Sequence, residues 1–199
     1  MASQTVAAVF AHEFKPTEAK HIDAGAASEM TDMSDMDGDM EGELDGEPGG
    51  DLGTNTPLEY LNHAFTTAQN AVMELQKKQH ARFEMMTTAV ALAIIDGKCA
   101  WGHIGDSRLY LFKRNRIAIR TLDHSVPQML VMSGEIKEKK IRKHPDRNRL
   151  LRAIGIEWDS PRFETSEEYD SADCQAFLLC TDGFWEFIED KRMCSLLRK

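Results

Sequence analysis

The sequence predicts an α+β fold in which antiparallel strands are flanked by helices. Four β-type segments follow one another at residues 87–95, 98–105, 108–113 and 116–121. Short turn signals such as Asp96-Gly97 join them, and connections of this length cannot contain crossover helices, so the strands are expected to form an antiparallel meander. Two amphipathic helical patterns precede the strands, one containing Val6 and Phe10 and one beginning near Leu58.

A further helix is predicted directly after the fourth strand, where the hydrophobic period changes. Ser125 is the expected N-cap, Gln128 its capping-box partner, and Gly134 marks the end. Residues 137–144 favour a short second helix that ends before Pro145. Two more strands are expected in the segments 162–169 and 176–183.

The composition is typical of one globular domain. The chain has 199 residues, of which 42% are hydrophobic, enough to bury a core. No apolar run approaches the ~20 residues of a membrane span, and the first residues lack the basic start and apolar middle of a secretion signal. We therefore expect a cytoplasmic protein that does not enter membranes.

The four cysteines lie in or beside apolar segments, and no two form a Cys-x-x-Cys pair. This pattern argues against a zinc site and against a disulfide framework. Reduced structural thiols are the preferred interpretation for Cys99, Cys174, Cys180 and Cys194.

An acidic segment accounts for the net charge of -9, because residues 29–51 contain ten acidic residues and no Lys or Arg. The rest of the chain is close to neutral. With few large apolar side chains to offset ordering entropy, residues 17–56 are predicted to be a disordered insert. A calcium loop beginning at Asp37 is the alternative, but its twelfth position is Pro48 instead of a bidentate Glu.

Two aspartates follow apolar segments and are candidates for chemistry. Asp182 ends the run "FLLCTDGFWEF" together with Gly183, and Asp106 lies in Gly105-Asp106-Ser107-Arg108. Each pattern, taken alone, favours a simple turn. The alternative is a carboxylate held at the edge of a sheet as a metal ligand or general base.

Four segments follow one another along the chain: "TTAVALAIIDGKCAWGHIGDSRLYLF", "LDHS", "HPDRNRLLRAIG" and "LLCTDGFWEF". Together, in this order, they resemble the bacterial metal-dependent protein phosphatases of the type 2C (PPM) family. The resemblance covers roughly residues 2–16 and 57–190. It implies an α-β-β-α sandwich of antiparallel sheets, of which residues 1–16 and 57–199 form a part truncated at both ends.

The resemblance also implies an activity and its cofactors. Members of the family hydrolyse phosphoserine and phosphothreonine in proteins, using two or three Mn or Mg ions held between the sheets. By matched motif, Asp182 resembles an aspartate of the central metal pair and Asp106 one associated with a third metal. Phosphorylated proteins are the implied partners, with a Ser/Thr kinase as the opposing enzyme.

The sequence departs from the family pattern at its N-terminal side. The phosphate-holding Arg and the Asp-Gly-Met-Gly-Gly turn do not occur in it, nor does the family's C-terminal Asp-Asn motif. Hard cations need several rigid oxygen ligands, so this chain alone is not expected to be active. The alternative is a pseudophosphatase or phosphoprotein-binding fragment.

A basic stretch between Lys137 and Arg152 contains eight Lys or Arg residues. Without interleaved aromatic residues it does not favour a nucleic-acid site, so no nucleic-acid partner is expected. It matches the family's flap segment, which can attract phosphorylated substrates, and a solvated helix face remains the alternative. Arg147 and Arg152 are expected to pair with carboxylates. The spacing of His103, His124 and His144 matches no local metal-ligand motif, and His124 and His144 are expected to be structural.

Overall fold

The computed structural model describes residues 3, 4, 6, 7, 56–80 and 85–198. The described residues belong to one compact unit. The predicted disordered insert at 17–56 lies outside them except for Thr56. Residues 3, 4, 6 and 7 are helical, in agreement with the first amphipathic pattern.

Helix α1, Pro57–Lys78, covers the first sheet. Thr56 begins it by accepting a hydrogen bond from the backbone N–H of Glu59, and Pro57 occupies the first turn, where its missing N–H costs nothing. Its buried stripe contains Leu61, Phe65 and Val72. These side chains pack against Ala93, Ala100, Ile104 and Ile154.

The first sheet is built on strands β1, Ala89–Ile95, and β2, Lys98–Ile104. They pair antiparallel over seven residues through a two-residue turn in which Asp96 and Gly97 both have positive φ, as hairpin turns of this length require. On its other side β2 pairs with two short strands, β5, Glu164–Thr165, and β6, Tyr169–Asp170.

The second sheet has the strand order β4-β3-β7. Its strands are β3, Arg108–Lys113, β4, Arg116–Arg120, and β7, Ala176–Cys180. Strand β3 is central and buried, and it pairs antiparallel with both neighbours.

Four layers result, because each sheet buries both faces. Trp101, Leu109 and Leu111 fill the space between the sheets. On the far side of the second sheet, Tyr110 and Phe112 pack with Ile141, Trp185 and Met193. The short helices α3, Asp182–Trp185, and α4, Asp190–Leu196, contribute to that outer layer. The α+β class and the sandwich of antiparallel sheets are confirmed.

The predicted continuous meander is wrong at one connection. Strands β2 and β3 belong to different sheets, so the segment 105–107 is a corner between sheets and not a hairpin turn. Gly105 has a φ of +99°, and a Cβ there would lie 2.3 Å from Cγ2 of Thr88. Only glycine allows this close passage from one sheet to the other.

The predicted capping box is also wrong, although the helix exists as α2, Val126–Met132. Ser125 makes no side-chain cap, and its hydroxyl and the Gln128 amide oxygen are buried without a hydrogen-bond partner among the described residues. The N–H of Val126 donates instead to the carbonyl of Arg149, and Pro127 has no N–H to offer. Tertiary contacts thus replace the local cap.

The segment after α2 forms a 3-10 helix at Glu138–Lys143, which confirms a short helix before Pro145. Among the described residues, no helix combines the length and the apolar character needed to cross a bilayer.

Candidate metal-binding end of the second sheet

Asp106 and Asp182 lie at the same end of the second sheet. The last residue pair of strands β3 and β7 joins Arg108 to Cys180. Asp106 stands two residues before Arg108, and Asp182 two residues after Cys180. Because the strands are antiparallel, both aspartates occupy equivalent positions just beyond the ladder.

Electrostatics show that the two carboxylates influence each other. The pKa of Asp106 is raised to about 6, first because the group is partly buried and then because of the negative charges of Asp182 and Asp123. Within the described part of the chain, neither Asp106 nor Asp182 has a Lys, Arg or His partner within ion-pair distance. Two carboxylates without a countercharge favour a bound cation at this place.

The residues next to the two aspartates open onto a cavity of about 640 Å³. Ser107 and Thr181 contribute from the second sheet, and the cavity continues along β1 and the start of α1. The described residues that line the cavity include these two neighbours and not Asp106 or Asp182 themselves. Asp182 follows β7, which is an edge strand among the described residues.

A buried ion pair stabilises this end of the second sheet. The guanidinium of Arg108 donates two hydrogen bonds to Asp123, at 2.7 and 2.6 Å, and a third to the Tyr110 hydroxyl at 3.2 Å. Burial opposes the charge of Arg108, but the hydrogen bonds and charge of Asp123 outweigh it and raise the arginine pKa. Asp123 is therefore engaged and does not act as a third free carboxylate.

Trp185 connects the corner to the segment that carries Asp182. Its indole N–H donates to the backbone carbonyl of Asp106 at 2.9 Å. Its ring also stacks beneath the guanidinium of Arg108, 3.4 Å from the ring centroid. One side chain thus fixes the position of Asp106 relative to helix α3. The sequence predicted neither this contact nor the Arg108–Asp123 pair.

His103, His124 and Glu164 form a second cluster, with candidate ligand atoms within 4.8 Å of one another. The N–H of Gly105 donates to Nδ1 of His124 at 3.1 Å, so the ring proton of neutral His124 resides on Nε2, which faces Glu164 at 3.2 Å. Arg152 already pairs with Glu164 at 3.0 Å. As arranged, these groups form a hydrogen-bond network and not an open ligand set.

This network holds the corner in place. His103 donates from Nε2 to the carbonyl of Leu122 at 2.8 Å, and its ring stacks on that of His124 with centroids 4.7 Å apart. His124 in turn accepts from Gly105, the residue before Asp106. The structural role expected for His124 agrees with these contacts, and His144 lies apart, accepting from the N–H of Asp146.

His124 is expected to make the protein less stable as the pH is lowered from about 6.5 to about 4. Asp106, whose pKa is raised to about 6, acts in the opposite direction. The His124 contribution is therefore the difference between the wild type and a variant without this imidazole. Burial, and then the proximity of His103, lower the pKa of His124 to about 4 from an ordinary value of 6.5. Between these values the unfolded chain binds more protons at this residue than the folded one, so acid favours unfolding, by about 2–3 kcal/mol in total. Urea unfolding at about pH 7 and about pH 5 measures the effect.

The His124→Asn variant should lose less stability than the wild type between about pH 7 and about pH 5, because the amide oxygen replaces Nδ1 as acceptor without titrating. His80→Asn, at an exposed position after α1, is the control and should retain the wild-type dependence. An unchanged pH dependence in His124→Asn would contradict this assignment.

The basic segment contacts the site through ion pairs. Arg147 donates to Glu186 at 2.9 Å, and Arg142 donates to Asp190 at 2.8 Å. The expected pairing of Arg147 and Arg152 with carboxylates is thereby confirmed. Arg142 and Arg147 thus contact carboxylates that follow Asp182 in the chain. The segment 137–152 therefore lies beside the same end of the second sheet.

Comparison with known proteins identifies relatives although no family model matches the chain. It is 32% identical over 114 residues to the serine/threonine phosphatase Stp of Listeria welshimeri, covering 57% of this chain and 44% of that protein. It is 30% identical over 140 residues to Stp of Listeria innocua, covering 67% of this chain and 55% of the relative. The chain therefore spans about half the length of these relatives.

A solved structure agrees with these sequence relatives. The serine/threonine phosphatase PstP of Mycobacterium tuberculosis superposes with a TM-score of 0.64 at 26% identity, covering 98% of this chain and 66% of that one. A PPM Ser-Thr phosphatase of Mycobacterium smegmatis is 28% identical, with a TM-score of 0.50 over 70% of this chain and 64% of the other. Together with the layered fold and the paired aspartates, these matches show that the chain is a relative of the bacterial PPM-type serine/threonine phosphatases and shares their fold over the part that it spans.

Proposed function

We propose that this chain carries part of the catalytic domain of a metal-dependent phosphatase acting on phosphoserine and phosphothreonine in proteins. The observation that carries the proposal is that Asp106 and Asp182 lie at one end of the second sheet, with the Asp106 pKa raised first by burial and then by the charge of Asp182. In this proposal residues 1–16 and 57–199 belong to the domain, and residues 17–56 are an acidic insert that lies outside the described residues except for Thr56.

The two aspartates suit a divalent cation with oxygen ligands, such as Mn²⁺ or Mg²⁺. A structure of the PstP catalytic domain, which shares the fold at 23% identity, is in complex with two manganese ions. Such an ion lowers the pKa of bound water and neutralises charge on a phosphoryl group. The contribution of this chain is to hold the carboxylates, with Trp185 fixing the corner at Asp106 and His124 supporting Gly105.

The basic segment supports a phosphorylated protein as substrate. Lys137, Lys139, Lys140 and Lys143 are exposed, while the neighbouring Arg142 and Arg147 are used in ion pairs to the outer layer. Positive charge beside the cleft raises the local concentration of a phosphorylated partner. We place the protein in the cytoplasm, opposite a Ser/Thr kinase of matching substrate preference.

A second candidate function is the binding of phosphorylated proteins without hydrolysis. It rests on the small number of carboxylates available to hold a metal ion. Among the described residues, Asp106 and Asp182 are the two carboxylates at this end that remain available, since Asp123 is bound to Arg108. Octahedral cations require more rigid ligands than two.

The test measures metal binding and turnover separately. We expect weak Mn²⁺ binding, followed by electron paramagnetic resonance of the free ion, to decrease several-fold in Asp182→Asn and Asp106→Asn. Asp159→Asn, on an exposed loop, is the matched control and should bind as the wild type does. Equal Mn²⁺ binding in all four proteins would contradict the metal site.

Turnover is measured with p-nitrophenyl phosphate and Mn²⁺. The 199-residue chain is expected to hydrolyse it no faster than Asp182→Ala, because the two available carboxylates do not complete a metal pair. A manganese-dependent rate that Asp182→Ala abolishes would instead establish this chain as the enzyme. Binding of a phosphoserine peptide without hydrolysis would favour the second candidate.

A further inference from the structure

Two cysteines far apart in sequence meet between the sheets. Cys99 lies in β2 and is fully buried, and Cys174 lies just before β7 and is partly exposed. Their sulfur atoms are 3.9 Å apart, although 75 residues separate them in the chain. Both are free thiols in this structure.

We propose that Cys99 and Cys174 form a reversible disulfide when the protein meets a peroxide, and that this bond links the first sheet to the second. Nothing in the metal-binding end of the molecule requires these two residues. The proposal therefore stands apart from the phosphatase function and extends the interpretation of the cysteines as purely structural thiols.

The backbone around Cys174 is held to both sheets at once. On one side, Tyr169 pairs with Cys99, and the N–H of Ser171 donates to the carbonyl of Gly97 at 2.8 Å. On the other side, the N–H of Gln175 donates to the carbonyl of Phe112 at 2.9 Å. The two sulfur atoms are therefore kept near each other by the fold itself.

Only a small movement is needed to form the bond. A disulfide has a sulfur–sulfur distance of about 2.05 Å, so the sulfur atoms must approach by about 2 Å, which side-chain rotation and a slight shift of the exposed turn can supply. The turn in question is the 3-10 helix Ser171–Asp173, whose residues lie at the surface. Cys99 itself can remain in place.

The exposures of the two thiols set the order of the reaction. Hydrogen peroxide reaches the partly exposed Cys174 first, transfers one oxygen to its sulfur as a sulfenic acid and leaves as water. The Cys99 sulfur then attacks that sulfur, and the hydroxyl leaves as a second water with the Cys99 proton. Two thiols are oxidised by two electrons while one peroxide is reduced to two waters, and an added dithiol reverses the bond.

Burial favours Cys99 as the second participant. Its pKa is raised to about 11, first by burial and then by the neighbouring Cys174, so it stays protonated near neutral pH and reacts slowly with peroxide on its own. Its proximity to Cys174 compensates for this low intrinsic reactivity once a sulfenic acid has formed.

The other two cysteines supply an internal control. Cys180 and Cys194 pack against the cluster around Tyr110 and Trp185, on the opposite side of the second sheet. The double variant Cys180→Ala/Cys194→Ala should therefore form the same bond as the wild type.

The experiment treats the full chain with hydrogen peroxide, blocks the remaining thiols and maps peptides by mass spectrometry. We expect a Cys99–Cys174 linked peptide in the wild type and in Cys180→Ala/Cys194→Ala, and none in Cys174→Ala. The bond closes a long loop, so oxidation should raise the midpoint of thermal unfolding by roughly 4 to 16 °C. Dithiothreitol should reverse the shift.

Cys174 is partly exposed, so its replacement by Ala is the informative variant even where Cys99→Ala does not fold. Three outcomes would overturn the proposal: a sulfinic acid on Cys174 with Cys99 still a thiol, a disulfide that links two chains, or an identical thermal shift in Cys174→Ala.

Discussion

Asp123→Ala is expected to lower the free energy of unfolding by about 3–5 kcal/mol, because it leaves the guanidinium of Arg108 buried without a countercharge. The side chains of Arg108 and Asp123 are 3% and 1% exposed, so water cannot replace the lost carboxylate. Urea unfolding followed by circular dichroism gives the difference, provided that the slope with denaturant stays constant.

Two companion variants test the cause of that loss. Arg108→Met combined with Asp123→Ala removes both charges and keeps an apolar stem against Trp185, so the double variant should be more stable than Asp123→Ala alone. Glu74→Ala removes an exposed ion pair with Lys77 in α1 and should cause no measurable change. If Asp123→Ala were as mild as Glu74→Ala, the buried pair would not be a structural support.

Gly155→Ala is expected to destabilise the protein by about 3 kcal/mol or more. Gly155 has a φ of +92°, and a Cβ there would lie 2.2 Å from the backbone carbonyl oxygen of Met85. Gln76 donates to that carbonyl and to the carbonyl of Gly155, so the backbone cannot move aside without breaking buried hydrogen bonds. Thermal and urea unfolding of the variant measure the loss.

Gly97→Ala separates backbone strain from steric overlap. Gly97 also has a positive φ, of +79°, but no atom lies within 4 Å of its added Cβ. Its substitution should cost about 1 kcal/mol, from the left-handed conformation alone. Equal losses in Gly97→Ala and Gly155→Ala would show that the contact with Met85 is not the cause.

The strands were the most predictable part of the fold. Alternating or continuous apolar segments bounded by Asp96-Gly97 and by Asn115 located β1 to β4 to within two residues, because local turn chemistry determines where a strand stops. Sequence could not show which strands pair. A Gly-Asp-Ser segment is compatible with a hairpin turn and with a corner between two sheets. In the structure both faces of β2 are buried, which favours the corner.

Local signals also failed where distant residues supplied the hydrogen bonds. Ser125 and Gln128 match a capping box, but Arg149 takes the first free N–H of α2. The resemblance to the phosphatase family identified Asp106 and Asp182 as candidate metal ligands. Metal binding by them remains a prediction. Trp185 and His124 hold the corner next to Asp106 in place, and no short sequence motif predicts the contacts that they make.

The pairing of β3 with β7 has a consequence for how this protein tolerates insertions and deletions. Asp182 begins helix α3 and Asp106 lies in the corner, each two residues from the Arg108–Cys180 pair, so one residue added between Cys180 and Asp182, or between Asp106 and Arg108, would change the spacing of the two aspartates. Length changes in the turn at Arg114-Asn115, at the opposite end of β3, leave that spacing untouched. The number of residues is therefore constrained at the Arg108–Cys180 end of this ladder and not at the Arg114-Asn115 turn. New loops can be inserted at that turn without disturbing the aspartates.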